Sequence, residues 1–183
     1  MPIEIEKKYR LTKAQRRAVE KRLRELGVTP RPVEFEENTI YLGGNLDPGR
    51  HALRLRRVKG RAILTLKRRF PSRSPIKHQE ENETEIADAG ATDKILTGLG
   101  FRRALIYEKR RTRWNIGKAA VVLDELPFGL FMEIEASEKE IKRVEKLIGA
   151  DDFAAVNETY PALTAKLGEK RKGIIEARFK KAQ

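Results

Sequence analysis

Glu4, Glu6 and Lys8 stand two residues apart in the run Ile3-Glu4-Ile5-Glu6-Lys7-Lys8-Tyr9. The same spacing returns in Arg54 and Arg56, Thr65 and Lys67, Glu83 and Glu85, Lys109, Arg111 and Arg113, and Glu133 and Glu135. Paired carboxylates suit hard divalent cations, which take oxygen ligands, and Lys and Arg suit phosphate oxygens. The chemistry on offer is therefore metal-assisted handling of a multivalent anion. With no cysteine in the chain, disulfides and thiolate ligation are excluded, and any metal must be held by oxygen or by histidine. His51 and His78 are far apart in sequence, which favours a carboxylate site.

A spacing of two is the period of a β-strand, whose alternate side chains share a face. The opposite faces of these runs carry Leu53 and Leu55, Leu64 and Leu66, Ile86, and Met132 and Ile134, where a core belongs. A lone Glu-x-Glu is more often a solvated surface than a ligand pair. Here, however, acidic and basic pairs occupy separate strands, an arrangement suited to lining a tunnel.

The elements that must position these groups follow from turn and cap signals. Thr12-Lys13-Ala14-Gln15 is a capping box opening a helix with Val19, Leu23 and Leu26 inward and Gly27 as its stop. Strands are predicted over residues 33–42, 52–58, 62–69, through Glu81, Glu83 and Glu85, then over 101–115, 119–126 and 130–136. Gly43–Gly49, Lys59-Gly60-Arg61, Gly117-Lys118 and Pro127-Phe128-Gly129 turn the chain between them. A short helix over 92–99 interrupts the series. Ser137-Glu138-Lys139-Glu140 is a second capping box, opening a helix with Ile141, Val144, Leu147 and Ile148 inward, and a last helix spans 161–167. The basic tail, residues 168–183, carries Ile174, Ile175 and Phe179 and is expected to form an amphipathic helix or to fray. Short connections imply antiparallel pairing, and about eight strands charged on one face suggest a sheet curled into a barrel or trough. The expected fold is α+β, one domain over residues 1–183: an eight-stranded antiparallel barrel with peripheral helices.

The 40 basic and 27 acidic residues leave a formal net charge of +13, which favours an anionic partner: nucleic acid, nucleotide or condensed phosphate. No apolar stretch approaches the roughly 20 residues needed to span a bilayer. Met1-Pro2-Ile3-Glu4 does not begin like a signal peptide, so a cytoplasmic protein is expected.

The order of these elements resembles the CYTH, or triphosphate tunnel metalloenzyme, superfamily from Glu4 to about Leu167. Its E-x-E-x-K signature is matched by Glu4-Ile5-Glu6-Lys7-Lys8 and followed by Leu53-Arg54-Leu55-Arg56, Leu64-Thr65-Leu66-Lys67, Glu83-Thr84-Glu85, Lys109-Arg110-Arg111, Leu123-Asp124, Phe131-Met132-Glu133-Ile134-Glu135 and Thr159-Tyr160. Leu42 and Trp114 depart from the residues many relatives carry at those places. The resemblance implies a barrel enclosing a tunnel in which divalent cations, magnesium or manganese, help bind and cleave triphosphate compounds. It implies Glu4, Glu6, Glu133 and Glu135 as metal ligands, with Glu83, Glu85 and Asp124 as further candidates, some of which could merely neutralise neighbouring arginines. Lys8, Arg54, Arg56, Lys67, Lys109, Arg111 and Arg113 are the implied phosphate clamp, and Lys8, Arg56 and Glu133 the implied catalytic set.

The activity these residues favour is hydrolysis of a small triphosphate, inorganic tripolyphosphate first. Class IV adenylyl cyclase, making cyclic AMP and pyrophosphate from ATP, is the alternative; the chain lacks the His-Phe pair that such cyclases share before the first strand. Thiamine triphosphatase is a third option. A noncatalytic polyphosphate or RNA binder is a fourth, disfavoured because paired carboxylates repel a polyanion unless metals bridge them. A monomer or homodimer is expected.

Overall fold

A strand that is greasy on one face and charged on the other needs two different environments, and a closed barrel wrapped in helices supplies both. The structure, a computed structural model, describes residues 3–180. Its wall is made of β1 (Ile3–Leu11), β2 (Glu34–Leu42), β3 (His51–Val58), β4 (Arg61–Arg69), β5 (Ile76–Ile86), β6 (Arg102–Ile116), β7 (Ala119–Leu126) and β8 (Gly129–Glu135). Around the wall they run β2-β3-β4-β5-β1-β8-β7-β6, and β6 returns to pair with β2. All eight pairings are antiparallel, so the expected eight-stranded barrel is present and its edges are closed. Four helices complete the α+β fold: α1 (Lys13–Glu25), α2 (Ala89–Gly98), α3 (Glu138–Ile148) and α4 (Tyr160–Leu167).

Local chemistry sets the corners. Lys59 and Gly60 join β3 to β4 with φ of 46° and 73°, the paired left-handed geometry of a two-residue hairpin turn. At α1 both halves of the capping box form, Gln15 N–H donating to Thr12 Oγ1 at 3.1 Å and Thr12 N–H to Gln15 Oε1 at 2.8 Å. At α3 the Ser137 hydroxyl accepts from Glu140 N–H, while the Glu140 carboxylate takes Arg143 instead. The helix α2 starts earlier than the sequence suggests, because Asp88 caps the backbone N–H groups of Gly90 and Ala91.

The apolar faces point outward. Tyr9, Val121, Leu123, Met132 and Ile134 pack beneath Val19 and Leu23 of α1 and Ile141, Val144 and Ile148 of α3. Tyr41, Leu53, Leu55 and Ala62 pack beneath Leu96 of α2. Helices cover the grease, and the inner face is left to the charges. One stretch of the inner face is apolar: Ile40, Tyr107 and Phe131 receive Tyr160 and Leu163, so α4 fills the barrel end near the β7–β8 turn.

The tail is neither helix nor frayed strand over its described part. It folds as a hairpin, β9 (Glu169–Arg171) and β10 (Ile174–Ala177), and β10 runs parallel to Leu105–Tyr107 of β6. Lys172 and Gly173, both at positive φ, make the turn, and a basic, partly apolar composition does not reveal that geometry. Gly168 is needed at the entry: a Cβ there would sit 2.7 Å from the Thr164 carbonyl oxygen and 2.8 Å from Ile175. Residues 181–183 of the expected tail lie outside the described residues. Among those described, no helix is long and apolar enough to cross a membrane.

Candidate active site

Six of the strands bring the alternating charges into one cavity of about 270 Å³. From β1 come Glu4, Glu6 and Lys8, from β3 Arg54 and Arg56, from β4 Lys67, from β5 Glu83, from β6 Lys109, Arg111 and Arg113, and from β8 Glu133 and Glu135. The inward alternative is the one realised, and the acidic and basic residues share the same interior.

Each acid on this wall faces a base. Lys8 Nζ lies 3.1 Å from Glu133 and Lys67 Nζ lies 2.6 Å from Glu4 and 3.3 Å from Glu81. Arg56 reaches Glu83 at 2.6 Å, and Arg113 reaches Glu135 at 2.7 Å. Arg111 holds Asp124 through two bonds of 2.8 and 2.6 Å and also donates to Glu133 at 2.7 Å. Lys8 lies 3.7 Å over the ring of Tyr160, whose hydroxyl donates to Asp124 at 2.9 Å.

These neighbours divide the carboxylates electrostatically. Burial works to raise the pKa of Glu4, but Lys67 and Gln79 outweigh it and hold the group at about 2. Burial likewise opposes ionisation of Glu133, yet Lys8, Arg111 and Lys109 keep its pKa well below the usual range. Glu6 goes the other way, raised by burial and then by the Glu133 carboxylate. Two carboxylates that repel one another in a buried wall form an oxygen-rich position that a hard divalent cation would relieve. The oxygen donors suit a hard divalent cation in kind, while among the described residues no three of them converge on one point.

Two predicted residues stand elsewhere. Glu85 does not line the cavity; its side chain is 61% exposed and faces Arg61 at 3.8 Å. It belongs to the part of β5 that runs beyond its pairing with β1, which ends at Ile3 opposite Glu80. Asp124 also faces inward, opposite Arg111, but is buried beneath the cavity lining by Arg111, Lys109 and Tyr160. It braces the wall.

Other residues complete the site without having been singled out. Glu36 is 1% exposed and lies 3.3 Å from Lys109 and 3.7 Å from Arg56; burial opposes its ionisation, but Lys109, Arg111 and Arg56 bring its pKa to about 2. Glu81 is pushed up to about 7, by burial first and by its bond to Glu4 as well. Gln79, Arg69 and Tyr107 also line the cavity. Their inward parity was the available signal: Arg69 and Tyr107 lie two residues from Lys67 and Lys109, and Gln79 lies four from Glu83.

Residues 2–159 match the CYTH domain. The chain belongs to the CYTH family. By sequence, no curated protein matches it. Among solved structures, the CYTH fold seen here is similar to the PH1012 protein of Pyrococcus horikoshii OT3, at 22% identity and a TM-score of 0.75, over 86% of this chain and 96% of that one. It is similar to a Hippeastrum protein, provisionally assigned as an adenylyl cyclase and described as having a dominant triphosphatase activity, at 18% identity and a TM-score of 0.69, over 89% and 95% of the two chains. A Vibrio parahaemolyticus protein provisionally assigned as an adenylate cyclase aligns at 17% identity and a TM-score of 0.65, over 89% and 98%. At these identities the likeness is one of fold.

Proposed function

We propose that the protein is a divalent-metal-dependent hydrolase of triphosphate compounds, with inorganic tripolyphosphate as its substrate. The observation that carries this reading is a pair of unmet donors: Arg54 Nε and Arg56 Nε are buried in the cavity wall and have no hydrogen-bond partner among the described residues. A buried donor without a partner is costly, and a polyanion of phosphate oxygens is the ligand that repays it. The cavity's size points the same way. At about 270 Å³ it stands near the lower end of the roughly 300–1,000 Å³ of pockets that enclose drug-sized ligands, with room for a bare phosphate chain.

In this reading Arg54, Arg56, Lys67, Lys109, Arg111 and Arg113 bind phosphate oxygens, and Lys8, steadied by Tyr160 and Glu133, places its ammonium on the phosphoryl group under attack. Glu4, Glu6, Glu133 and Glu135 would hold magnesium or manganese, with Glu83 as a further ligand. A bound cation would spread the charge of the phosphate oxygens and lower the pKa of a coordinated water. Positioning and charge stabilisation then supply most of the acceleration, as in phosphoryl transfer generally. Asp124 acts from beneath the cavity lining by fixing Arg111.

The test is incubation of the purified protein with tripolyphosphate and, separately, ATP, with magnesium or manganese, measuring orthophosphate and nucleotide products. Metal-dependent orthophosphate release from tripolyphosphate is the expected result. Lys8→Ala and Arg56→Ala should each lose on the order of 10²–10³ in turnover with an unchanged circular dichroism spectrum. Cyclic AMP with pyrophosphate would move the assignment to a cyclase, and anion binding that survives chelation without turnover would move it to a binder.

A further inference from the structure

The cavity contains a guanidinium that no described carboxylate neutralises by contact. Every other lysine or arginine lining it has a carboxylate oxygen within 4.0 Å; Arg69 has none among the described residues. The contrast with its neighbour is direct. Arg68, on the outward face of β4, is locked to Glu80 by two bonds of 2.9 and 2.6 Å, while Arg69, facing inward, meets Ala52, Gln79 and Tyr107 in the cavity wall. Its backbone is fixed, paired in register with Gln79 and donating to the Arg50 carbonyl at 2.8 Å. Burial pushes its pKa below the ordinary value, offset only in part by Glu6 and Tyr107. Arginine keeps its proton in proteins, so the charge remains to be matched from outside.

Its place along the barrel says by what. Arg69 lies two residues beyond Lys67 on β4, about 7 Å further along the strand. That direction leads to the end filled by α4, where Ile40, Tyr107 and Tyr160 line the cavity. An anion held by Arg54 and Lys67 and extended toward α4 reaches Arg69 next, the remaining cation of β4 in the cavity lining.

We propose that Arg69 receives the terminal phosphoryl group of the substrate at the closed end of the cavity and so makes the site read phosphate-chain length. The inference rests on the triphosphate reading above. A triphosphate spans from the clamp to Arg69; a diphosphate held by the clamp falls short.

The test is calorimetric binding, with magnesium present, of the methylene-bridged, non-hydrolysable analogues of pyrophosphate, tripolyphosphate and ATP to the wild-type chain, Arg69→Gln and Arg69→Lys. Thermal melts of all three proteins establish that each is folded. Arg69→Gln should weaken the triphosphate analogue about tenfold and the diphosphate analogue less than about twofold, with Arg69→Lys between wild type and Arg69→Gln. Equal losses for both lengths, or no loss, would overturn the assignment while leaving the triphosphate reading intact. A loss confined to the ATP analogue would place an organic group at Arg69 and also overturn it. Failure of the wild type to bind any of the three would remove the triphosphate reading and this inference with it.

Discussion

Arg111 and Arg178 each gather carboxylates, and they do so to different ends. Arg111, inside the barrel, holds Asp124 and Glu133 and lies beside the unmet donors of the cavity wall. Arg178, outside, is about a third exposed and joins Glu37 at 2.6 Å, Glu176 at 2.7 Å and Glu108 at 2.8 Å. The outer cluster ties the end of the chain to β2 and β6, helped by Phe179, which packs 4.1 Å from the Arg110 guanidinium and 6.4 Å from Phe35. Both look alike in a census of ion pairs. What separates them is solvent: the inner cluster is desolvated and borders donors with nothing to bind, whereas the outer one is satisfied and wet. Charge marks a site when it is buried with some of its demand unmet.

Three substitutions test that contrast. Arg111→Met, which leaves Asp124 buried without its bidentate partner and Glu133 with Lys8 alone close by, should cost on the order of 3–5 kcal/mol in denaturant unfolding and abolish turnover. Wild-type stability there would erase the distinction. A smaller effect is expected at Asp93 of α2, which binds Arg103 and Tyr41 on the outside of the barrel. Its bonds from Arg103, against the opposing effect of burial, bring its pKa from 3.8 to about 2. A depressed carboxylate contributes stability that is present above its unfolded pKa and lost as pH falls through the folded one. Unfolding free energy should therefore drop by about 1–2 kcal/mol from this group between pH 3.8 and about 2, and Asp93→Asn should flatten that part of the curve. The smallest effect belongs to Arg178→Ala, about 1 kcal/mol, with faster amide exchange in β10 and turnover within about twofold of wild type. A large loss of turnover would show that the tail reaches the cavity.

Much of this was legible in the residues. The two-residue spacing of Glu4, Glu6 and Lys8, of Arg54 and Arg56, and of Lys109, Arg111 and Arg113 gave both the strands and the face, because a strand offers no other way to align such groups. Glu36 escaped notice because Glu37 follows it, so the run shows carboxylates on both faces; in the fold Glu36 turns inward to Lys109 and Glu37 outward to Arg57 and Arg178. Glu85 was over-read for want of register: nothing in Glu83-Thr84-Glu85 tells that Glu85 sits opposite Ile63, close to the β3–β4 turn and outside the cavity, while Glu83 lines it. The tail was misjudged because three- and four-residue strands are too short to show a period, and β10 exists by docking on β6.

The place of β1 in the wall has a consequence for biosynthesis. The first of the wall strands to be made is flanked by β5 and β8, and Lys8 meets Glu133 only across the β1–β8 seam. While the chain is being synthesised, one edge of β1 waits for β5 and the other stays bare until β8, the last wall strand, leaves the ribosome. A nascent chain therefore carries most of its phosphate-binding cations but has no chamber to organise them. Substrate capture begins only with the finished barrel, and the interval before closure is when the chain is most open to mispairing with another copy of itself.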